Sequence, residues 1–222
     1  MTRFGLTVAV LAASALLWSA SASANTITIN AQVAPSPVTM LASGSPPIVS
    51  YTGAISPFSV ITGSTAAVIG APGTTAFNTS NIDFSLSGPA TLFVWITLDG
   101  LTAPAIQAIT AHSGFTANDI AGAISSVTLW TYLDQSNGTA PPVGSLLGTA
   151  TFSAPGTLDV NTNAPTGSGP YSLQDVYEVK ANGAGNVNLT IDLNTTAVPE
   201  PASLALLGTA LTGVGFLRRR LF

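Results

Sequence analysis

Between Tyr171 and Leu193 the chain alternates apolar and polar residues at a spacing of two, a period that commits it to extended strands. Tyr171, Leu173, Tyr177 and Val179 fall on one face, and after Asn182-Gly183-Ala184-Gly185 the alternation resumes with Val187, Leu189, Ile191 and Leu193. The glycine-rich step predicts a hairpin. The same period marks residues 26–33, where Ile27, Ile29, Ala31 and Val33 share a face. Ile82, Phe84 and Leu86 alternate again, and residues 90–98 form a nearly continuous apolar run that needs cover on both faces. Gly88-Pro89 lies between these two runs and predicts an antiparallel pair, with the second strand central to a sheet. Residues 126–133 alternate once more, and a polar loop from Asp134 to Ser145 leads to a hairpin partner at residues 146–152.

Elsewhere the pattern is looser. Residues 35–57 are rich in proline and serine and read as extended coil, and residues 66–70 read as a short strand. From Ala103 to Ile124, the spacing of Ile106, Ile109, Ile120 and Ile124 supports short helical turns, capped by Asn118 or Asp119. About eight to ten short strands with no alternating long helices predict an all-β, antiparallel β-sandwich. The chain has no cysteine, so no disulfide staples this domain and its stability must come from the core.

Both ends carry targeting features. Arg3 supplies a positive start, residues 4–18 an apolar stretch, and Ala22-Ser23-Ala24 a small-residue cleavage site. Residues 1–24 therefore read as a secretory signal peptide, recognised by the translocon and cut by signal peptidase between Ala24 and Asn25. An uncleaved anchor is the alternative; the short apolar stretch and the well-placed Ala22 and Ala24 oppose it.

At the other end, Val198, Pro199, Glu200 and Pro201 break regular structure, because proline lacks an amide donor and drives its predecessor to extended geometry. Residues 202–217 are uncharged, and Arg218, Arg219 and Arg220 follow. As a helix the apolar run spans roughly 24 Å, short of the ~30 Å hydrocarbon core, so flanking residues or local thinning must help it cross. The arginine cluster holds its side of the helix in the cytoplasm and places the preceding chain outside. A short buried helix with a basic end is the alternative, and three consecutive arginines on an acidic chain argue against it.

The order of break, apolar helix and arginines over residues 198–222 resembles the PEP-CTERM sorting signal of exported bacterial proteins, a tail also labelled from ice-binding proteins. The two trailing residues, Leu221 and Phe222, depart from it. The resemblance implies processing by exosortase, a membrane transpeptidase-like enzyme that cuts near Pro-Glu-Pro and discards the helix and arginines. It also implies a secreted, cell-surface or matrix protein of exopolysaccharide-producing, biofilm-forming bacteria. The closing run from Tyr171 to Leu193 further resembles that of many small PEP-CTERM proteins.

The exported part, residues 25–197, forms one domain. It has eight acids against the single base Lys180, a net of −7. That charge excludes nucleic acid as a partner, since binding its backbone requires clustered lysine and arginine. His112 is the only histidine, so neither a zinc ligand cluster nor a Cys/His pair can be assembled. Asp134-Gln-Ser-Asn-Gly lacks the carboxylate spacing of a calcium loop. No catalytic, cofactor or metal residues are assigned. The expected function is a non-enzymatic surface or matrix protein, tethered at the inner membrane before its release. The alternative is a sandwich that binds polysaccharide or ice. Polysaccharide binding requires exposed aromatics, for which Trp95, Trp130 and Tyr132 are candidates, whereas ice binding requires a regular Thr-x-Thr ladder. A hydrolase would need an acid/base or nucleophile constellation, and none is visible.

Overall fold

The computed structural model describes residues 25–69, 74–102, 108–139, 144–167, 169–198 and 208–209. Its strands are β1 (Thr26–Val33), β2 (Thr39–Gly44), β3 (Ile48–Ile55), β4 (Phe58–Ile69), β5 (Thr74–Leu86), β6 (Ala90–Leu101), β7 (Ala108–Asp134), β8 (Ser145–Phe152), β9 (Gly156–Pro165) and β10 (Tyr171–Ala197). All their pairings are antiparallel. The antiparallel all-β expectation holds, and the ladder is one continuous sheet.

The sheet is built on β10. Along one edge β10 pairs with β6 through Tyr171–Ala181 and then with β5 through residues 185–196. Along the other it pairs with β7 from end to end. β1 and β2 extend the sheet beyond β6, β4 and β3 extend it beyond β5, and β8 and β9 pair with opposite ends of β7.

This arrangement corrects two expected hairpins. The step from Asn182 to Gly185 is a bulge within one 27-residue strand: Ala181 faces Ile124 and Gly185 faces Gly122, so three residues oppose Ala123 alone. The two alternating runs do not pair with each other because both find the same long partner, β7. Likewise β5 and β6 do not pair across Gly88-Pro89; they lie in succession along β10. β6 is nevertheless central, between β1 and β10.

Three local expectations also change. Ile109, Ile120 and Ile124 belong to β7 and not to helical turns, and Ile106 lies outside the described residues. Residues 35–57, expected as coil, contain β2 and β3, and the short strand expected at 66–70 is the end of the twelve-residue β4. β9 was not anticipated; Leu158 and Asp159 are exposed, as suits a polar edge strand. By contrast β1, and the pairing of β7 with β8 across the polar loop, fall where alternation placed them.

The long strands bend at the bulge, which brings the two halves of the sheet face to face. The side chains of Ser113 and Thr131, both on β7, hydrogen-bond at 2.7 Å in the interior. Gly148 of β8 stands so close to the other half of β7 that an added Cβ would lie 3.0 Å from Ser113 Cβ and 3.1 Å from the Phe115 ring. Between the halves one apolar cluster gathers Ile27, Ile96, Leu98, Leu129, Leu173, Val187, Leu189 and Ile191, each fully buried. Burial of each side chain of this kind contributes about 1.5–3 kcal/mol.

The signal-peptide segment, including Ala22 and Ala24, lies outside the described residues, as does the tail apart from Val198, Gly208 and Thr209. Among the described residues no helix is long and apolar enough to cross a membrane.

Candidate functional site

In the half of the sheet nearest Tyr171, β10 is buried on both faces, from Tyr171 to Val179. Leu173, Tyr177 and Val179 enter the core. The opposite face presents Ser172, Gln174, Val176 and Glu178, and strand register places aromatic residues around them. Val176 lies between Trp95 of β6 and Trp130 of β7, while Glu178 faces Phe93 and Gln174 faces Tyr132.

Phe93, Trp95, Trp130, Tyr132 and Val176 line an open cleft of about 180 Å³. Phe93 and Trp95, two apart on one strand, stack with ring centroids 5.8 Å apart and planes 9° from parallel. Trp95 is only 4% exposed and forms the floor with Val176, whereas Phe93, Trp130 and Tyr132 are half-buried walls. Burial raises the Tyr132 pKa, so its phenol remains a neutral hydrogen-bonding group.

A polar loop closes one side of this face. The Asp134 carboxylate accepts hydrogen bonds from the backbone N–H and hydroxyl of Ser136 and from the Gly138 N–H. Asn137, with φ 59°, accepts from the Gly100 N–H through its side-chain oxygen. Held in this way, the loop offers the Gly138 carbonyl to Ser172 and Gln174 and the Thr139 carbonyl to Thr97 and Asn30. Asp134 therefore organises the loop. Gln174 is fully buried; its Nε2 donates to the Gly138 carbonyl, while its Oε1 has no hydrogen-bond partner among the described residues. Beyond the opposite end of the cleft, Lys180 pairs with Glu178 at 2.9 Å.

The outer face of the other half is polar. His112 Nε2 lies 3.8 Å from Asp159 Oδ1 on the surface. Asp159 and Asp192 flank Gly114, and the Asp192 pKa is raised by burial first, with the positive charge of His112 lowering it and Asp159 raising it. Among the described residues no group of three or more ligating side chains comes together in a manner that could hold a metal. Thr157, Thr116 and Thr190 form one row in register, but the neighbouring rows on that face hold Asp159, Gly114 and Asp192, then Asn161, His112 and Asn194.

The three aromatics singled out from sequence thus come together, with Trp95 as a buried floor. Phe93 and Val176 join them without having been anticipated. The available signal was the two-residue spacing of Phe93 with Trp95 and of Trp130 with Tyr132; the register that sets both pairs beside β10 was missing.

Of the targeting residues, Asn25 immediately precedes β1. Val198 follows β10 directly, and its N–H donates to the Ala108 carbonyl at 3.2 Å. Pro199, Glu200, Pro201, Arg218, Arg219 and Arg220 lie outside the described residues. A family model for the PEP-CTERM protein-sorting motif matches residues 197–220, beginning at the last residue of β10. A search of curated proteins finds no match. The motif implies export and processing by exosortase at the membrane. The tail that follows the central strand thus carries a PEP-CTERM protein-sorting motif.

Proposed function

We propose that residues 25–197 form a non-enzymatic protein of the cell surface or extracellular matrix that binds exopolysaccharide through the aromatic cleft. In this reading, residues 1–24 direct export, the apolar run 202–217 holds the domain at the inner membrane with Arg218, Arg219 and Arg220 in the cytoplasm, and processing releases it. The two facing halves of the sheet make a β-sandwich type of module, an architecture common among cell-surface domains.

The observation that carries the binding assignment is the meeting of Phe93, Trp95, Trp130 and Tyr132 on an outer sheet face, in a cleft of about 180 Å³. A cavity of about 150 Å³ holds one benzene ring, so this volume suits a single six-membered ring. A pyranose offers an apolar C–H face to stack on aromatic walls and a hydroxyl rim for polar neighbours, the pairing that such clefts provide. The neutral phenol of Tyr132 in the lining supplies one such neighbour. Ice binding lacks the corresponding support, because the threonine row is interrupted on the polar face.

Binding of the purified domain to exopolysaccharide from the source bacterium, measured by calorimetry or on a glycan array, tests this reading. Trp130→Ala is expected to weaken binding about tenfold, the loss of ~1.4 kcal/mol typical of an aromatic anchor. Absence of binding by the unaltered domain would refute the assignment.

A further inference from the structure

The aromatic cleft lies in a layer whose charges are few and one-sided. β1, β2 and β8 hold no charged residue, and β6 holds only Asp99. The parts of β7 and β10 beside the cleft, residues 124–134 and 171–181, add Asp134, Asp175, Glu178 and Lys180. Asp175 is fully buried and shares the core face of β10 with Leu173 and Tyr177. The other carboxylates bracket the cleft along the strands. Asp134 stands two positions beyond Tyr132, and Asp99 stands four beyond Trp95, where it accepts from the Thr26 N–H at 3.0 Å. At the opposite end Glu178 lies two positions beyond Val176, about 7 Å along the strand, and in register with Phe93 of the cleft wall.

Lys180 is the single base of residues 25–197, and it is already engaged, with Nζ 2.9 Å from Glu178 Oε2. By backbone position the carboxylate is the nearer member of this pair to the cleft, because Lys180 is four positions from Val176, about 13 Å away. It is also the better shielded from water, with 11% of its side chain exposed against 51% for Lys180. A shielded charge acts over a longer range than an exposed one, which solvent and salt screen. A ligand in the cleft therefore meets carboxylates at both ends and no uncommitted cation.

The lining itself holds no charged residue; its polar side-chain groups are the neutral phenol of Tyr132 and the indole N–H groups of Trp95 and Trp130. An acidic sugar stacked there would surrender part of the hydration of its carboxylate with no cation to replace it, and an unpaired charge is costly to desolvate. A ring that carries only hydroxyl and hydroxymethyl groups avoids that cost. We infer that the cleft selects uncharged sugar units and rejects acidic ones, with Glu178 as the residue that sets the discrimination. This selectivity presupposes the saccharide site proposed above.

Two forms of one polymer test it: exopolysaccharide from the source bacterium with its carboxyl groups reduced to alcohols, and the same material with its primary hydroxyls oxidised to carboxylates. Calorimetry uses the full chain in an uncharged detergent that contains no sugar. The reduced form is expected to bind, and the oxidised form to bind about tenfold more weakly, a gap that shrinks as salt is raised. Glu178→Gln keeps the side-chain shape, removes the nearest charge and frees Lys180; the gap is expected to close to about threefold or less as the oxidised form gains affinity. Lys180→Gln leaves Glu178 uncompensated and is expected to widen the gap. Equal or tighter binding of the oxidised form by the unaltered chain overturns the inference, as does a gap that survives Glu178→Gln or narrows in Lys180→Gln. Failure of the unaltered chain to bind either form overturns the saccharide site itself, and the selectivity with it.

Discussion

Ser113 and Thr131 lie 18 residues apart on the same strand, yet their hydroxyl oxygens meet at 2.7 Å inside the core. A straight strand would hold them roughly 60 Å apart. Their contact therefore requires β7 to turn back so that its halves face each other, and it joins the two layers through a buried polar bond.

Ser113→Ala should strand the buried Thr131 hydroxyl and cost about 1–3 kcal/mol. Adding Thr131→Val removes the orphaned group, so the double variant should lose less than the sum of the singles, with a coupling on the order of 1 kcal/mol. Urea denaturation of the four proteins reads this directly. Additive losses would mean that the bond contributes nothing to stability.

The bend depends on Gly122, whose φ is +76° and whose added Cβ would lie 2.5 Å from the Ala184 carbonyl oxygen. Gly185, directly opposite, leaves equally little space against the Ala121 carbonyl. Gly122→Ala combines a left-handed backbone with a clash against main chain that cannot rotate away. We expect a loss of more than about 3 kcal/mol, visible as loss of the cooperative thermal transition. A variant that melts like the unaltered protein would show that the bend lies elsewhere.

These glycines explain how far the sequence could be read. Val187, Leu189, Ile191 and Leu193 announced their strand because one face is buried and the other polar, so their period is two. Asn182 to Gly185 announced a change of direction without revealing its kind, since a hairpin and a bulge draw on the same permissive residues. What decides between them is the partner strand, and β7 hid its own continuity. Residues 118–126 cross the bend and are exposed or half-buried, so they show no alternation of buried and exposed positions. The cleft was legible as three aromatics but not as a site, because Trp95 and Trp130 become neighbours only through Val176, a long-range register. The sorting tail was legible because its order is local to the chain.

Asp134 is predicted to stabilise the domain through the loop it organises. Asp134→Ala removes the acceptor for three hydrogen bonds, from two groups of Ser136 and one of Gly138. It also loosens the carbonyls that cap Ser172, Gln174, Thr97 and Asn30. A cost of about 2 kcal/mol is expected, which for a domain of this size lowers the midpoint by about 4–8 °C. Asp134→Asn keeps one acceptor and should fall between the two proteins in a thermal melt. An unchanged midpoint for the alanine variant would sink this role.

Asp192 sets the sign of a pH effect. Burial chiefly, with Asp159 adding and the positive charge of His112 opposing, lifts its pKa above the ordinary 3.8. The folded protein thus holds this proton more tightly than the unfolded chain, and stability declines as pH rises from 3.8 through the folded value. Asp192→Asn should flatten that decline and give a small gain at neutral pH, within about 0.5 kcal/mol. Denaturation midpoints of both proteins between pH 4 and pH 7 test it; a steeper fall in the variant would reverse the sign.

The last strand of the chain is also the central one. β5, β6 and β7 all pair with β10, and its second half carries Val187, Leu189, Ile191 and Leu193, each fully buried. Burying four such side chains contributes roughly 6–12 kcal/mol, comparable with the whole stability of an ordinary domain, about 5–15 kcal/mol. A chain that starts at Asn25 and stops at Ala184 should therefore lack a cooperative melt and be digested rapidly by protease, whereas one stopping at Val198 should be resistant. The same dependence applies during export. If the domain is exported amino end first, as proposed, its sheet is expected to close only after Ala197 has emerged, because β5, β6 and β7 all pair with β10. Protease resistance of translocation intermediates arrested before and after Ala197 would display that step, and resistance acquired before Ala184 emerges would contradict it.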